Sequence, residues 1–86
     1  MGIDPKLQIE LEKYVLKSRT PARVRDLLLS LLTEDEINEF GSRLMIIKRL
    51  RKGQSHQKIA KILKVGVATV TRGAKELKKG RFKYLS

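Results

Sequence analysis

The chain has no cysteine and no tryptophan, and its 86 residues include one histidine, two prolines, two tyrosines and two phenylalanines. Without cysteine there is no disulfide framework and no thiol nucleophile, and a single histidine leaves a zinc finger short of ligands. No metal site and no required cofactor are therefore expected. The longest apolar run, Leu27 to Leu32, is broken by Ser30 and is far short of the roughly 20 residues a bilayer span needs. No signal peptide, repeat or low-complexity segment is visible, so a cytoplasmic protein with no membrane partner is expected. Acid is also scarce, but only in one half. Residues 43 to 86 hold fourteen Lys or Arg against the single acid Glu76, whereas residues 1 to 42 hold six basic residues and eight acids. The net +11 thus belongs to the second half. A polyanion is the expected partner, because neutralised phosphates release condensed counterions and make binding strong and salt-sensitive.

What is present reads as helix throughout. A monomer of this size buries only about 60% of the surface its unfolded chain exposes, so its core alone is marginal. Asp4 and Pro5 form an N-cap followed by proline at the first helical position, which opens a helix to about Lys17 with Leu7, Leu11, Tyr14 and Val15 on one stripe. Thr20 and Pro21 repeat the signal for a second helix to about Leu32. Its apolar residues at 24, 27, 28, 29, 31 and 32 occupy most of the circumference. A helix apolar nearly all round must be covered on several sides, and a partner chain is the natural cover. Thr33 with Glu36 makes a capping box, Asp35 adds charge to the positive first turn, and a third helix should run to about Lys52. Ile37, Phe40, Leu44 and Ile47 form its main stripe, with Ile46 and Leu50 extending burial, and Gly53 ends it.

The 27 residues from Gly53 to Lys79 read as helix, tight turn, helix. Ser55 caps the first helix, about His56 to Leu63, in which Ile59, Ala60 and Leu63 face inward. The small Ala60 lets the next helix cross closely. Val65 plugs the turn, Gly66 caps the second helix, and Val70, Gly73 and Leu77 are its close-packed positions. Lys64 stands where a left-handed glycine is common, which predicts strain or a different closure of the turn. Outward lie Val67, Ala68 and Thr71, short enough to let a backbone approach base edges, where methyl groups meet thymine and the hydroxyl donates or accepts. Ser55, Gln57, Lys58, Lys61, Arg72, Lys75, Lys78 and Lys79 are the expected phosphate contacts, which set register and affinity while the three short side chains set sequence preference.

The segment LLTEDEINEFGSRLMIIKRLRKG, followed by VGVATVTRGAKELKK, resembles the tryptophan repressor family over about residues 27 to 79, most specifically in LLTEDE, GSR and ATVTRG. The resemblance implies an all-α fold, an intertwined helical homodimer with one helix-turn-helix unit per chain. Residues 5–52 would be the dimerisation helices, 53–79 the helix-turn-helix and 80–86 a short C-terminal tail in place of the family's last helix. It also implies a corepressor pocket for L-tryptophan. In that pocket Arg43 and Arg72 sandwich an indole, Thr33, Thr69 and Gly73 match pocket residues, Arg72 holds the ligand carboxylate and Leu32 comes from the partner. The tryptophan-binding members place a serine near the ligand ammonium where this chain has Glu76. Its carboxylate either pairs with that ammonium or reaches Arg43 or Arg72 and fills the pocket itself.

The expected function is sequence-specific repression of transcription on double-stranded DNA, under tryptophan or a related small ligand, in a bacterial cytosol or nucleoid. The alternative is a ligand-independent architectural or accessory module of the same fold. No catalytic residue is assigned. His56, Glu76 and the acids at 34, 35, 36 and 39 are the available acid and base groups, and the latter four are explained by capping and dipole compensation.

Overall fold

A computed structural model describes residues 2 to 85, and among them there are five helices and no strand. They are α1 (Pro5–Lys17), α2 (Pro21–Leu31), α3 (Glu34–Arg51), α4 (His56–Leu63) and α5 (Val67–Lys78). The chain divides into two compact units, Met1–Ile37 and Asn38–Ser86, and this packing division falls inside α3. The division at residues 52 and 53 expected from the sequence is a different cut, made by function.

α1, α2, α3 and α4 begin where side-chain caps place them. Asp4 accepts from the Lys6 N–H at 2.9 Å, and Thr20 accepts from the Arg23 N–H at 3.2 Å. The capping box closes in both directions, with the Glu36 N–H donating to Thr33 Oγ1 at 3.1 Å and the Thr33 N–H donating to Glu36 Oε1 at 2.9 Å. These bonds satisfy N–H groups that a helix start otherwise leaves orphaned. Gly53 ends α3 at φ 81, a left-handed conformation that only glycine adopts without steric cost.

In the N-terminal unit, no described residue is buried. α1 and α2 form an open groove of about 890 Å³ lined by Leu7, Leu11, Tyr14, Leu27 and Leu31 among others. The stripes that periodicity assigns to burial exist as faces, but they face outward: Leu7 is 65% and Leu29 63% exposed.

The second unit holds the core. Ile46 and Ile47 of α3, Ile59 and Ala60 of α4 and Val70 of α5 are buried, and Leu50, Leu63 and Val65 pack against this cluster. Fully burying an aliphatic side chain of this size stabilises by roughly 1.5–3 kcal/mol, so these few residues supply most of what holds the unit together. Phe40 and Leu44, expected on the main stripe of α3, are about two-fifths exposed. The buried face of the helix is set by where α4 and α5 lie, and it centres on Ile46 and Ile47.

The turn between α4 and α5 is closed by Lys64 itself in the left-handed region, at φ 57 and ψ 45. Its own N–H and that of Val65 both donate to the Ala60 carbonyl. A side chain in this conformation brings Cβ near the following carbonyl oxygen and costs roughly 1–2 kcal/mol. The turn is therefore strained, as the absence of glycine predicts, and not differently closed.

Candidate nucleic-acid interface

α4 and α5 carry the residues expected to meet DNA, and the positions of these helices follow from local chemistry. Ser55 Oγ accepts from the Lys58 N–H at 3.2 Å and fixes the start of α4. Gly66 starts α5 without a side-chain cap, its carbonyl accepting from the Thr69 N–H at 3.1 Å. With Ile59, Ala60 and Val70 buried between the helices, the rotation of α5 about its axis is set.

That rotation divides α5 into three faces, because residues three and four apart share a side of a helix. Val70 and Leu77 turn into the unit. Val67, Ala68, Thr71, Lys75 and Lys78 form a second face, on which Val67, Ala68 and both lysines are exposed. Thr69, Arg72, Gly73 and Glu76 form a third. Of the residues expected to meet phosphate, Ser55, Gln57, Lys58, Lys61, Arg72, Lys75, Lys78 and Lys79 are all exposed. Ser55 is also the α4 cap, and Lys79 Nζ lies 3.4 Å from Glu76 Oε1.

Thr71 differs from Val67 and Ala68, the other two residues expected to read bases. It is half-buried, and its hydroxyl stands 3.3 Å from His56 Nδ1. Which atom donates follows the histidine tautomer. From the sequence His56 is only an available acid or base, yet here it lies within hydrogen-bond distance of the one hydroxyl on this face of α5. The spacing of fifteen residues places it on another helix, and only the crossing of α4 and α5 brings the two together.

The third face of α5 lines a cleft of about 810 Å³. Five of the seven residues matched to the corepressor pocket, Arg43, Thr69, Arg72, Gly73 and Glu76, meet in its walls. Leu32 and Thr33 belong to the N-terminal unit, where Leu32 follows the end of α2 and Thr33 is committed to the capping box. Gly73 is where the α5 backbone comes close to α3. A Cβ there would stand 3.0 Å from Ile46 Cγ2 and 3.5 Å from Ile47 Cδ1, so a larger residue would press the two helices apart.

Arg43 and Glu76 of the cleft are each already paired. Arg43 pairs with Glu39 at 2.6 Å, one helical turn away, and its guanidinium lies 5.4 Å from the Phe40 ring centroid. Glu76 pairs with Lys79 at 3.4 Å and with Arg81 at 3.7 Å, not with Arg43 or Arg72. Arg81 and Phe82 also line the cleft, and neither was among the expected site residues. Residues 79 to 84 form turns. Among the described residues no group of acidic and histidine side chains is arranged to hold a metal ion, and no helix is long and apolar enough to cross a membrane.

Comparison with known proteins identifies a family for the chain. The family model described as Trp repressor protein matches residues 7–86. A Trp operon repressor homolog of Vibrio vulnificus is 41% identical over 66 residues, which cover 74% of this chain and 65% of that protein. A Trp operon repressor homolog of Photobacterium profundum is 49% identical over 53 residues, covering 60% of this chain and 52% of that protein. The chain thus spans between about half and two thirds of the length of these relatives. No solved structure gives a significant match. With a family match over nearly its whole described length, on an all-helical fold with a helix-turn-helix, the chain belongs to the Trp repressor protein family.

Proposed function

We propose that this protein is a sequence-specific DNA-binding repressor of transcription that acts as a homodimer, with L-tryptophan or a related amino acid as corepressor. The observation that carries the proposal is the division of α5 into faces. One side presents short and basic side chains to solvent, and the adjacent side walls a cleft containing Arg43, Arg72 and Glu76. A ligand wedged in that cleft would set the tilt of the same helix that meets DNA. Control would then work by geometry, with no chemical step. The names of the relatives, Trp operon repressor homologs, support both the repression and the amino acid.

Dimerisation is supported by the exposed leucines of α1 and α2. A second copy of this chain offers the same self-complementary apolar surface, and two-fold pairing would place two recognition helices about one DNA turn apart, matching a pseudo-palindromic operator. Glu76 would meet the ligand ammonium and Arg72 its carboxylate.

The engagement of Glu76 by Lys79 and Arg81 favours a second reading, a DNA-binding module of the same fold that needs no ligand. Affinity for promoter fragments, measured with and without tryptophan, separates the two. Tight binding that tryptophan does not change removes the corepressor and keeps the repressor. Steeply salt-dependent binding with no preference among sequences removes both and leaves an architectural role.

A further inference from the structure

Part of the cleft wall comes from residues that no helix supplies. After α5 the chain reverses through two left-handed residues, Gly80 at φ 87 and Phe82 at φ 61. Glycine adopts that backbone freely, but in phenylalanine it crowds Cβ against the following carbonyl. Something must hold Phe82 there. The Arg51 guanidinium donates to the Phe82 carbonyl, the Arg81 N–H donates to the Glu76 carbonyl at 3.1 Å, and the Leu85 N–H donates to Phe82 O at 3.0 Å. The Arg81 side chain meets Glu76 Oε2 at 3.7 Å. Of the two aromatic residues in this segment, Tyr84 is 91% exposed, whereas Phe82 is half-buried and lines the cleft with Arg43, Arg72 and Glu76.

Arg81 and Phe82 therefore bring to the cleft a cation paired with Glu76 and, on the next residue, an aromatic ring. An aromatic amino acid carries the same two groups, an ammonium and a ring, on one small frame. We propose that Arg81 and Phe82 are a built-in, displaceable occupant of this cleft, standing in for the ammonium and the ring of an aromatic amino acid, so that ligand and tail exclude one another. This rests on the reading that the cleft takes such a ligand. The tail lowers apparent affinity by the fraction of molecules in which it has left the cleft, so the strength of its seat sets the ligand concentration at which the protein responds.

The chain has no tryptophan, so indole fluorescence reports either an added ligand or a single introduced probe without background. Without ligand, Phe82→Trp should show a blue-shifted emission and acrylamide quenching several-fold weaker than Tyr84→Trp; equal quenching of the two overturns the seat. By calorimetry, Phe82→Ala should bind L-tryptophan about tenfold more tightly than the unsubstituted chain, and Tyr84→Ala should bind as the unsubstituted chain does. Equal affinity in all three, or weaker binding by Phe82→Ala, overturns the exclusion while the ligand reading stands. If no variant binds tryptophan, the ligand reading fails and the exclusion with it. Shielding of the Phe82→Trp indole then decides the seat by itself.

Discussion

Leu29 of α2 is 63% exposed and Ile59 of α4 is fully buried, although both are aliphatic residues on short helices with well-formed N-caps. The difference runs through the two units to which they belong. Residues 1–37 carry six basic residues and seven acids, and none of the described ones is buried; residues 38–86 carry fourteen basic residues and two acids around a core of Ile46, Ile47, Ile59, Ala60 and Val70. Apolar periodicity announces a helix face that wants cover without saying whether the same chain provides it. In the second unit α3, α4 and α5 cover one another. In the first, α1 and α2 leave an open groove, and burial there requires another surface. Near-neutral charge lets such a surface meet a copy of itself without repulsion, and the large positive charge of the second unit suits a polyanion.

The contrast can be broken in four places. Leu28→Glu puts a charge on the uncovered face of α2 and should abolish the proposed dimer, through the large penalty for burying an unpaired carboxylate. Sedimentation that shows either a persisting dimer or a stable folded monomer would refute an N-terminal unit completed by its partner. Ile59→Ala removes volume from a site that is already covered, and should cost about 2–5 kcal/mol in urea unfolding, with the helix-turn-helix weakened most; a loss below ~1 kcal/mol would mean that the second core is not close-packed.

Thr71→Ala acts on the surface, not the core, and should relax base preference by about 1–3 kcal/mol while leaving nonspecific affinity nearly unchanged. His56→Ala should reproduce part of that loss by freeing the Thr71 hydroxyl. Binding titrations on specific and scrambled DNA check both, and an equal loss on every sequence would remove Thr71 from the reading face. The smallest effect is expected at Lys64→Gly, which releases the left-handed strain of the α4–α5 turn and should stabilise the fold by about 0.5–1 kcal/mol net of the entropy that glycine adds to the unfolded chain. A thermal melt lowered by this substitution would show that the Lys64 side chain makes a compensating contact.

Much of this was legible beforehand. Asp4, Thr20, Thr33 with Glu36, Ser55 and Gly53 mark helix ends through bonds that span four residues or fewer, so position in the chain is enough to find them. Five pocket residues matched by resemblance do meet in one cleft; Thr69, Arg72, Gly73 and Glu76 share a helix face by their spacing alone, and Arg43 joins them from α3 through the packing of the helices. The pairing of Glu76 was not legible. Arg43, Arg72, Lys79 and Arg81 are all available partners, and the spacing to Lys79 favours one of them without excluding the rest. His56 and Phe82 were missed for the same reason, since neither has a local partner that announces its role.

The sequence by itself determined the five helices and the concentration of positive charge after residue 42, because propensity, capping and charge are local properties that the chain carries in any conformation. The tertiary structure alone decided which apolar faces are covered, that His56 stands beside Thr71, and that the chain after α5 turns back so that Phe82 enters the cleft wall. Those outcomes depend on residues distant in sequence reaching the same place, and on which of several competing partners lies within a few ångströms when they arrive.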